Sequence, residues 1–155
     1  AVLDGDLIAG VVVQIPYDVT YTARAGGGAY RDGERLTVSS IADPVRALIG
    51  TGFPFKHPGQ IAPYLPQLAR IVAETSGVRR GGSAALDLAH VASGHFDAFW
   101  ELMLAPWDIA AGLLLVREAG GRVTDLAGED AVASHTPVVA SNGILHEWML
   151  GQLRG

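Results

Sequence analysis

Two acidic residues, Glu101 and Asp108, lie where a predicted strand ends and a predicted helix begins. The strand is predicted over residues 97–102, and Pro106 followed by Asp108 is typical of a helix start. Ligands of α/β proteins collect at such strand ends and helix heads. A carboxylate there could bind a hard cation such as Mg²⁺, which takes oxygen ligands. Taken alone, the same pattern is more typical of a helix N-cap, in which Asp108 accepts hydrogen bonds from free N–H groups.

The helix that follows Asp108 must position both acids. Residues 109–116 are almost wholly apolar, and Gly120 with Gly121 predicts the end of the helix. A helix of this composition is buried on most sides, so it is predicted to lie in the middle of a layered fold. Trp107 is predicted to pack against the head of this helix.

A second strand-to-helix turn, at Gly82, Ser83 and Ala84, consists of small residues. Small residues let backbone N–H groups approach a ligand, and a helix N-terminus favours oxygen acceptors or anions. They could equally serve only to pack the helix closely on the strand, and the pattern leaves both roles open. Asp87 is predicted to lie on the outer side of this helix, as a structural partner or a solvated charge.

The composition excludes several classes of function. With 155 residues, 49% of them hydrophobic and 17% charged, the chain is predicted to form one globular domain. A net charge of −5 and the lack of any basic cluster beyond Arg79-Arg80 argue against nucleic-acid binding. There is no cysteine and the histidines are scattered, so thiolate and histidine metal sites have little support. No apolar run reaches the length of a membrane span, and a cytoplasmic location is predicted.

The remaining segments predict alternating strands and helices. A hairpin is predicted at Asp4-Gly5, and the run of valines in the strand at residues 8–15 is typical of burial on both faces. A helix over residues 63–75 is predicted to carry Pro66 in its first turn. Its apolar stripe consists of Tyr64, Leu65, Leu68, Ile71 and Val72, with Gln67, Arg70 and Glu74 away from it. Further strands are predicted at residues 19–23, 47–53, 122–126 and 137–141, with a last helix at residues 143–153.

Two motifs of the chain resemble the inositol monophosphatase family. One is PWDIAAGLLLVREAGG, and the other is GGSAALDLAHVASGHFDAFWE, which precedes it. Members of this family are Mg²⁺-dependent phosphomonoesterases that fold as layered α/β sandwiches. The resemblance runs through essentially all 155 residues. It therefore implies this fold and phosphoric monoester hydrolysis.

The resemblance also implies a role for each candidate residue. It assigns Asp108 as a ligand of Mg²⁺, and Glu101 as the acceptor of hydrogen bonds from hydroxyls of inositol. It implies that Gly82, Ser83 and Ala84 contact the substrate ring. A bound Mg²⁺ would activate a water molecule and neutralise charge on the phosphoryl oxygens. No catalytic residue beyond the metal ligand is assigned in this chain.

One departure from the family concerns its earlier acidic motifs. The Gly-Glu-Glu and Asp-Pro-x-Asp-Gly-Thr sequences of the family are absent from this chain. Residues 1–155 are therefore expected to be the C-terminal portion of a single phosphatase domain that lacks its N-terminal part. The remaining metal ligands would lie in that part, so the chain alone is expected to be inactive.

Several alternatives remain open within this resemblance. The substrate is expected to be a small phosphorylated polyol, most simply inositol monophosphate. Histidinol phosphate, fructose bisphosphate or a nucleotide 3′-phosphate are alternatives. A non-catalytic binding or regulatory module of the same fold is an alternative of another class. The resemblance further implies a homodimer.

Overall fold

The computed structural model describes residues 1–55, 57–134 and 137–154. Helices are α1 Ile61–Glu74, α2 Ala84–Ala92, α3 Pro106–Glu118 and α4 His146–Arg154. Strands are β1 Val2–Leu3, β2 Asp6–Leu7, β3 Ala9–Gln14, β4 Val19–Arg24, β5 Gly28–Arg31, β6 Glu34–Arg35, β7 Leu48–Thr51, β8 Gly77–Arg79, β9 Ala98–Glu101, β10 Arg122–Thr124 and β11 Val138–Ser141. The predicted elements are therefore present, with ends that differ by a few residues.

Two main sheets and two pairs of helices form the layers of the molecule. An antiparallel sheet has the order β3-β4-β5-β6, and a mixed sheet has the order β10-β11-β9-β7-β8. Within the mixed sheet, β7 runs parallel to both β8 and β9. Helices α2 and α3 share one apolar core with both sheets, whereas α1 and α4 pack on the other face of the mixed sheet. This arrangement is the predicted layered α/β sandwich.

The two central helices approach each other closely at Gly112 of α3. A Cβ atom at this position would lie 2.5 Å from the Cβ atom of Leu88 in α2. Leu88 is fully buried, so it has little room to move away. A side chain at position 112 would therefore separate α2 from α3, and glycine sets the spacing of the central layer.

Strand β3 is buried on one face only, so the prediction of burial on both faces is wrong. Val12 points into the core, while Val11 and Val13 are 59% and 51% exposed. Gly10 allows the inner face to contact α3, because a Cβ there would lie 3.0 Å from the Cα of Ala111. The predicted hairpin before this strand is confirmed, with Asp4 and Gly5 both at positive φ.

The predicted stripe of α1 is wrong at three positions. Leu65 and Val72 are 54% and 55% exposed, whereas Gln67 is buried. Gln67 Nε2 donates a hydrogen bond of 2.9 Å to the carbonyl of Leu153. This carbonyl lies in the last turn of α4, where helix carbonyls lack partners within the helix. The helix thus turns a polar residue towards α4, which the apolar spacing did not indicate.

Pro66 lies inside α1, so its predicted place in the first turn is also wrong. Proline lacks an N–H group and leaves the carbonyl of Ala62 without its usual helical partner. Ala62 is exposed, so water can satisfy this carbonyl.

Among the described residues, no helix is both long and apolar enough to cross a membrane.

The glycine turn between β4 and β5 is fixed to the end of α3 by one carboxylate. The N–H groups of Gly26 and Gly28 each donate to Glu118, at 2.8 Å in both cases. An acidic side chain near a helix C-terminus is otherwise unfavourable because the helix dipole is negative there. The two N–H donors offset this cost and join the antiparallel sheet to the central layer.

A buried histidine, His146, joins α4 to the mixed sheet. Its Nε2 lies 2.9 Å from Thr124 Oγ1, and its Nδ1 lies 2.8 Å from Ser141 Oγ. Thr124 donates its own proton to the carbonyl of Asp125, so it accepts from Nε2–H. Nδ1 is then the acceptor for the hydroxyl of Ser141. Burial lowers the pKa of His146 to about 4, because a charged ring would be poorly solvated there. Its Nδ1 could also no longer accept the hydrogen bond from the hydroxyl of Ser141.

We expect Gly112→Ala to destabilise the fold, despite the better helix propensity of alanine. Overpacking against Leu88 should cost about 1–3 kcal/mol, against a propensity gain of roughly 1 kcal/mol. The matched control is Gly151→Ala in α4, because nothing lies within 4 Å of a Cβ at that position. Urea unfolding should show a loss for the first variant and a small gain for the second. Equal gains would contradict the proposed spacing role.

We expect His146 to make folding stability fall as the pH is lowered. Between its usual pKa of 6.5 and about 4, the ring takes up a proton in the unfolded chain but not in the folded one. The loss should reach on the order of 3 kcal/mol at the lower limit. Urea unfolding across this range, compared with His146→Gln, isolates the contribution from that of other groups. If the free energy of unfolding falls equally with pH in the two proteins, His146 makes no such contribution.

Candidate functional site

A cleft opens at the carboxyl ends of the three parallel strands. Strand β7 leads into Gly52, β8 leads into Arg80, and β9 leads into Leu102. The segments that follow these strands enclose a cleft of about 400 Å³. It is lined by Gly52, Phe53, Pro54, Phe55, His57, Arg80, Gly82, Ser83, Ala84, Ala85, Asp87, Glu101, Leu102, Met103, Leu104, Trp107 and Asp108. All five residues singled out in the sequence therefore meet at one place, where α/β folds usually bind ligands.

Asp108 occupies the third position of α3, and Ala105 is the N-cap residue. Asp108 Oδ2 accepts a hydrogen bond of 2.9 Å from the N–H of Ala105. The N-cap interpretation is therefore wrong in position, although the carboxylate does satisfy a free N–H group of the helix head. Within the described part of the chain, Oδ1 has no hydrogen-bonding partner. One oxygen orients the side chain, and the other is available to a ligand.

Glu101 is half-buried and lies directly over the backbone of Gly52. A Cβ atom at Gly52 would lie 2.0 Å from Cδ of Glu101, so no other residue leaves room for this carboxyl group. Burial raises the pKa of Glu101 to about 7. The nearby charges of Asp87 and Asp108 contribute to this rise in the pKa, while Arg80 opposes it. The group is therefore poised between its neutral and ionised forms near neutral pH.

The turn at residues 82–84 forms the opposite wall of the cleft. Gly82 has a φ of +90°, a conformation that other residues rarely adopt. Ser83 is the N-cap of α2 but makes no side-chain capping bond, and Ala84 is the buried first residue of that helix. The first residues of α2, whose N–H groups lack partners within the helix, line the cleft, and the Ser83 hydroxyl has no hydrogen-bonding partner among the described residues. Both roles left open by the sequence, close packing and ligand approach, are compatible with this geometry.

Asp87 is buried in the cleft wall, so its predicted place on the outer side of α2 is wrong. The side chain is 2% exposed, and its Oδ1 would lie 2.4 Å from a Cβ atom at Gly81. Asp87 lies in the first turn of α2, and its carboxyl group packs against the backbone of Gly81, which follows β8. Burial raises the pKa of Asp87 to about 6, with Arg80 acting in the opposite direction.

Trp107 does not pack against the head of α3. Its side chain is 83% exposed at the rim of the cleft, and the indole follows Pro106 at the second position of the helix. The apolar residues that bury α3 begin only at Ile109. The prediction failed because the first turn of a helix can project beyond the layer that buries the rest.

Arg80 and Phe55 are further cleft residues that the sequence did not single out. The guanidinium of Arg80 lies 5.3 Å from the centre of the Phe55 ring, within the range of a cation–π contact. Within the described residues it forms no ion pair, although its charge reaches both Asp87 and Glu101. Its place directly after β8 was the one signal that could have identified it.

The donor set of the cleft suits a hard cation in part. Asp108 offers one uncommitted carboxylate oxygen, and Mg²⁺ is typically held by one or two carboxylates with waters and phosphate. Among the described residues there is no group of three or more acidic, histidine or cysteine side chains that could enclose a metal. Of the five scattered histidines of the sequence, His135 lies outside the described residues. Asp108 therefore fits as one ligand of such an ion, and the others would come from elsewhere.

Known proteins resemble this chain along its whole length. The model of the inositol monophosphatase family matches residues 1–155. An inositol-1-monophosphatase of Mesorhizobium japonicum is 46% identical over 146 residues, which cover 94% of the chain and 55% of that protein. The Nus factor SuhB of Pseudomonas aeruginosa is 44% identical over 140 residues, covering 89% of the chain and 52% of that protein.

Solved structures resemble the fold to the same extent. The inositol monophosphatase from Anabaena superimposes with a TM-score of 0.89 at 35% identity. The superposition covers 95% of this chain and 58% of the Anabaena protein. The chain thus spans about half the length of the curated relatives it matches. The parallel strand ends, the layered sheets and the sequence similarity lead to one conclusion: the chain belongs to the inositol monophosphatase family.

Proposed function

We propose that a protein containing this chain hydrolyses the phosphate monoester of a small polyol, inositol monophosphate, with Mg²⁺ as cofactor. The observation that carries this proposal is the cleft in which Asp108, Glu101 and the turn at residues 82–84 meet. The family and the name of the Mesorhizobium relative support phosphatase activity. Residues 1–155 are then the C-terminal portion of a single phosphatase domain.

Each cleft residue has a distinct part in the proposed reaction. Magnesium, when bound, supplies an activated water and neutralises charge on the phosphoryl oxygens. Asp108 would hold the ion through the oxygen that does not contact Ala105. Glu101 would accept hydrogen bonds from substrate hydroxyls, which strengthen when the carboxyl group is ionised. The free N–H groups of Ser83 and Ala84 at the start of α2 would bind a substrate oxygen.

A regulatory module is the second candidate function. One observation favours it, namely that a relative 44% identical to this chain is called a Nus factor. Such a module could keep the cleft without hydrolysing a phosphate ester. In either case we propose a cytoplasmic homodimer that binds neither nucleic acid nor a membrane through this chain.

We expect Mg²⁺-dependent phosphate release from inositol 1-phosphate by a full-length protein that contains this chain. The chain alone should release none, because the family resemblance implies further metal ligands that residues 1–155 do not contain. Asp108→Asn in the full-length protein should lower kcat/KM by about 100-fold or more, because losing even a group that only orients a metal ligand costs about 10–100-fold. Colorimetric phosphate determination measures all three. Release of phosphate by the chain alone would overturn the inactivity, and a silent full-length protein would favour the regulatory module.

We expect Gly52→Ala to impair binding of a polyol phosphate without touching Asp108. The new methyl group would occupy the position of the Glu101 carboxyl group and displace it. KM for inositol 1-phosphate should rise about tenfold, as expected for the loss of hydrogen bonds to a charged acceptor. Gly59→Ala is the matched control, since nothing lies within 4 Å of a Cβ there. Steady-state kinetics decide the matter, and an unchanged KM would argue against the proposed role of Glu101.

A further inference from the structure

Asp87 is a buried carboxyl group for which the proposed reaction has no use. The residue is only 2% exposed, yet its atoms contribute to the lining of the cleft. In the described residues it has neither a hydrogen-bonding partner nor an ion pair. A buried carboxyl group without a partner is costly to the fold. The fully enclosed side-chain atoms without a partner in the described residues are Oε1 of Gln67 and Nε1 of Trp100, so the oxygens of Asp87 are not among them. These oxygens therefore stay open to the cleft, where a ligand group can supply the missing hydrogen bonds.

Asp87 and Glu101 are seated in the same way at neighbouring strand ends. Each carboxyl group lies over a glycine that follows a parallel strand, Glu101 over Gly52 and Asp87 over Gly81. In both places a Cβ atom would collide with the carboxyl oxygens, at 2.1 Å and 2.4 Å respectively. The charge of Asp87 also raises the pKa of Glu101, so the two groups are electrostatically coupled. The cleft thus contains a matched pair of acids and not one acid with an unrelated neighbour.

The charges around this pair select the kind of ligand. Arg80 lines the same cleft, and its charge acts on both carboxyl groups. A cation, whether a metal or an amine, would be repelled by the guanidinium. An anion would be repelled by the two acids. A neutral hydroxyl group, which both donates and accepts, meets neither penalty and can satisfy a carboxyl group in either protonation state.

We propose that Asp87 is a second hydroxyl-binding residue of the cleft, which with Glu101 makes the site specific for a polyol. This inference rests on the proposed function and narrows its substrate class to esters that carry at least two free hydroxyl groups. Each carboxyl group binds one of these hydroxyls, while the phosphate lies towards Asp108. Substrates without hydroxyl groups gain nothing from Asp87.

The kinetic test compares two phosphate esters in a full-length protein that contains this chain. Asp87→Ala should raise KM for inositol 1-phosphate about tenfold, and should change KM for 4-nitrophenyl phosphate by less than about twofold. Asp6→Asn removes one exposed acid outside the cleft and should leave both values unchanged. Equal losses on the two esters, or no loss on either, would overturn the inference.

A second measurement needs no turnover, and it uses the near-isosteric variant Asp87→Asn only to assign one resonance. The Asp87 carboxyl resonance of the ¹³C-labelled protein, assigned from its absence in Asp87→Asn, should shift when myo-inositol is added. Inorganic phosphate alone should not shift it. If the Asp87 resonance does not shift when myo-inositol is added, the inference is wrong even if the enzyme is active. A shifted resonance in a protein that releases no phosphate upholds the inference and refutes the proposed function.

Discussion

The architecture depends on the close contact between α2 and α3 at Gly112 and Leu88. This contact brings the first turns of both helices to the same edge of the mixed sheet, at the ends of its parallel strands. Helix N-termini carry partial positive charge and free N–H groups, so two of them together favour acidic side chains and oxygen ligands. The spacing of the central layer therefore determines the chemistry available at its edge. A wider layer would separate Asp108 from the turn at residues 82–84.

The cleft concentrates acidity at a cost that the fold offsets only in part. Asp87 and Glu101 are both removed from water, and the charge of Asp87 disfavours ionisation of Glu101. The one cation in the described lining whose charge reaches both is Arg80, which stacks on Phe55 and makes no ion pair there. Real proteins accept such local costs where they bind ligands, and they recover the energy elsewhere in the core. The buried apolar residues of α3, Ile109 and the run at 113–116, contribute to that compensation.

The sequence predicted the elements and most of the site because those features depend on local patterns. Pro106, Asp108 and the glycine pair at 120 mark the ends of α3, and the structure has the helix between them. Errors arose where burial depends on a distant element. Gln67 is buried because the end of α4 offers it a carbonyl, and Asp87 is buried because Gly81 leaves space for it. Trp107 is exposed because the layer that would cover it begins one turn later. Helical spacing alone contains none of this information.

The valines on the outer face of β3 have a consequence for work with the chain in solution. Val11, Val13, Ile15 and Tyr17 occupy alternate positions along and just after this edge strand, and each is more than half exposed, so apolar side chains face the solvent here. Surfaces of this kind drive association in proportion to protein concentration. An unfolding midpoint measured on the chain would then vary with the amount loaded, because self-association stabilises the folded form by mass action. The midpoint should therefore fall as the chain is diluted.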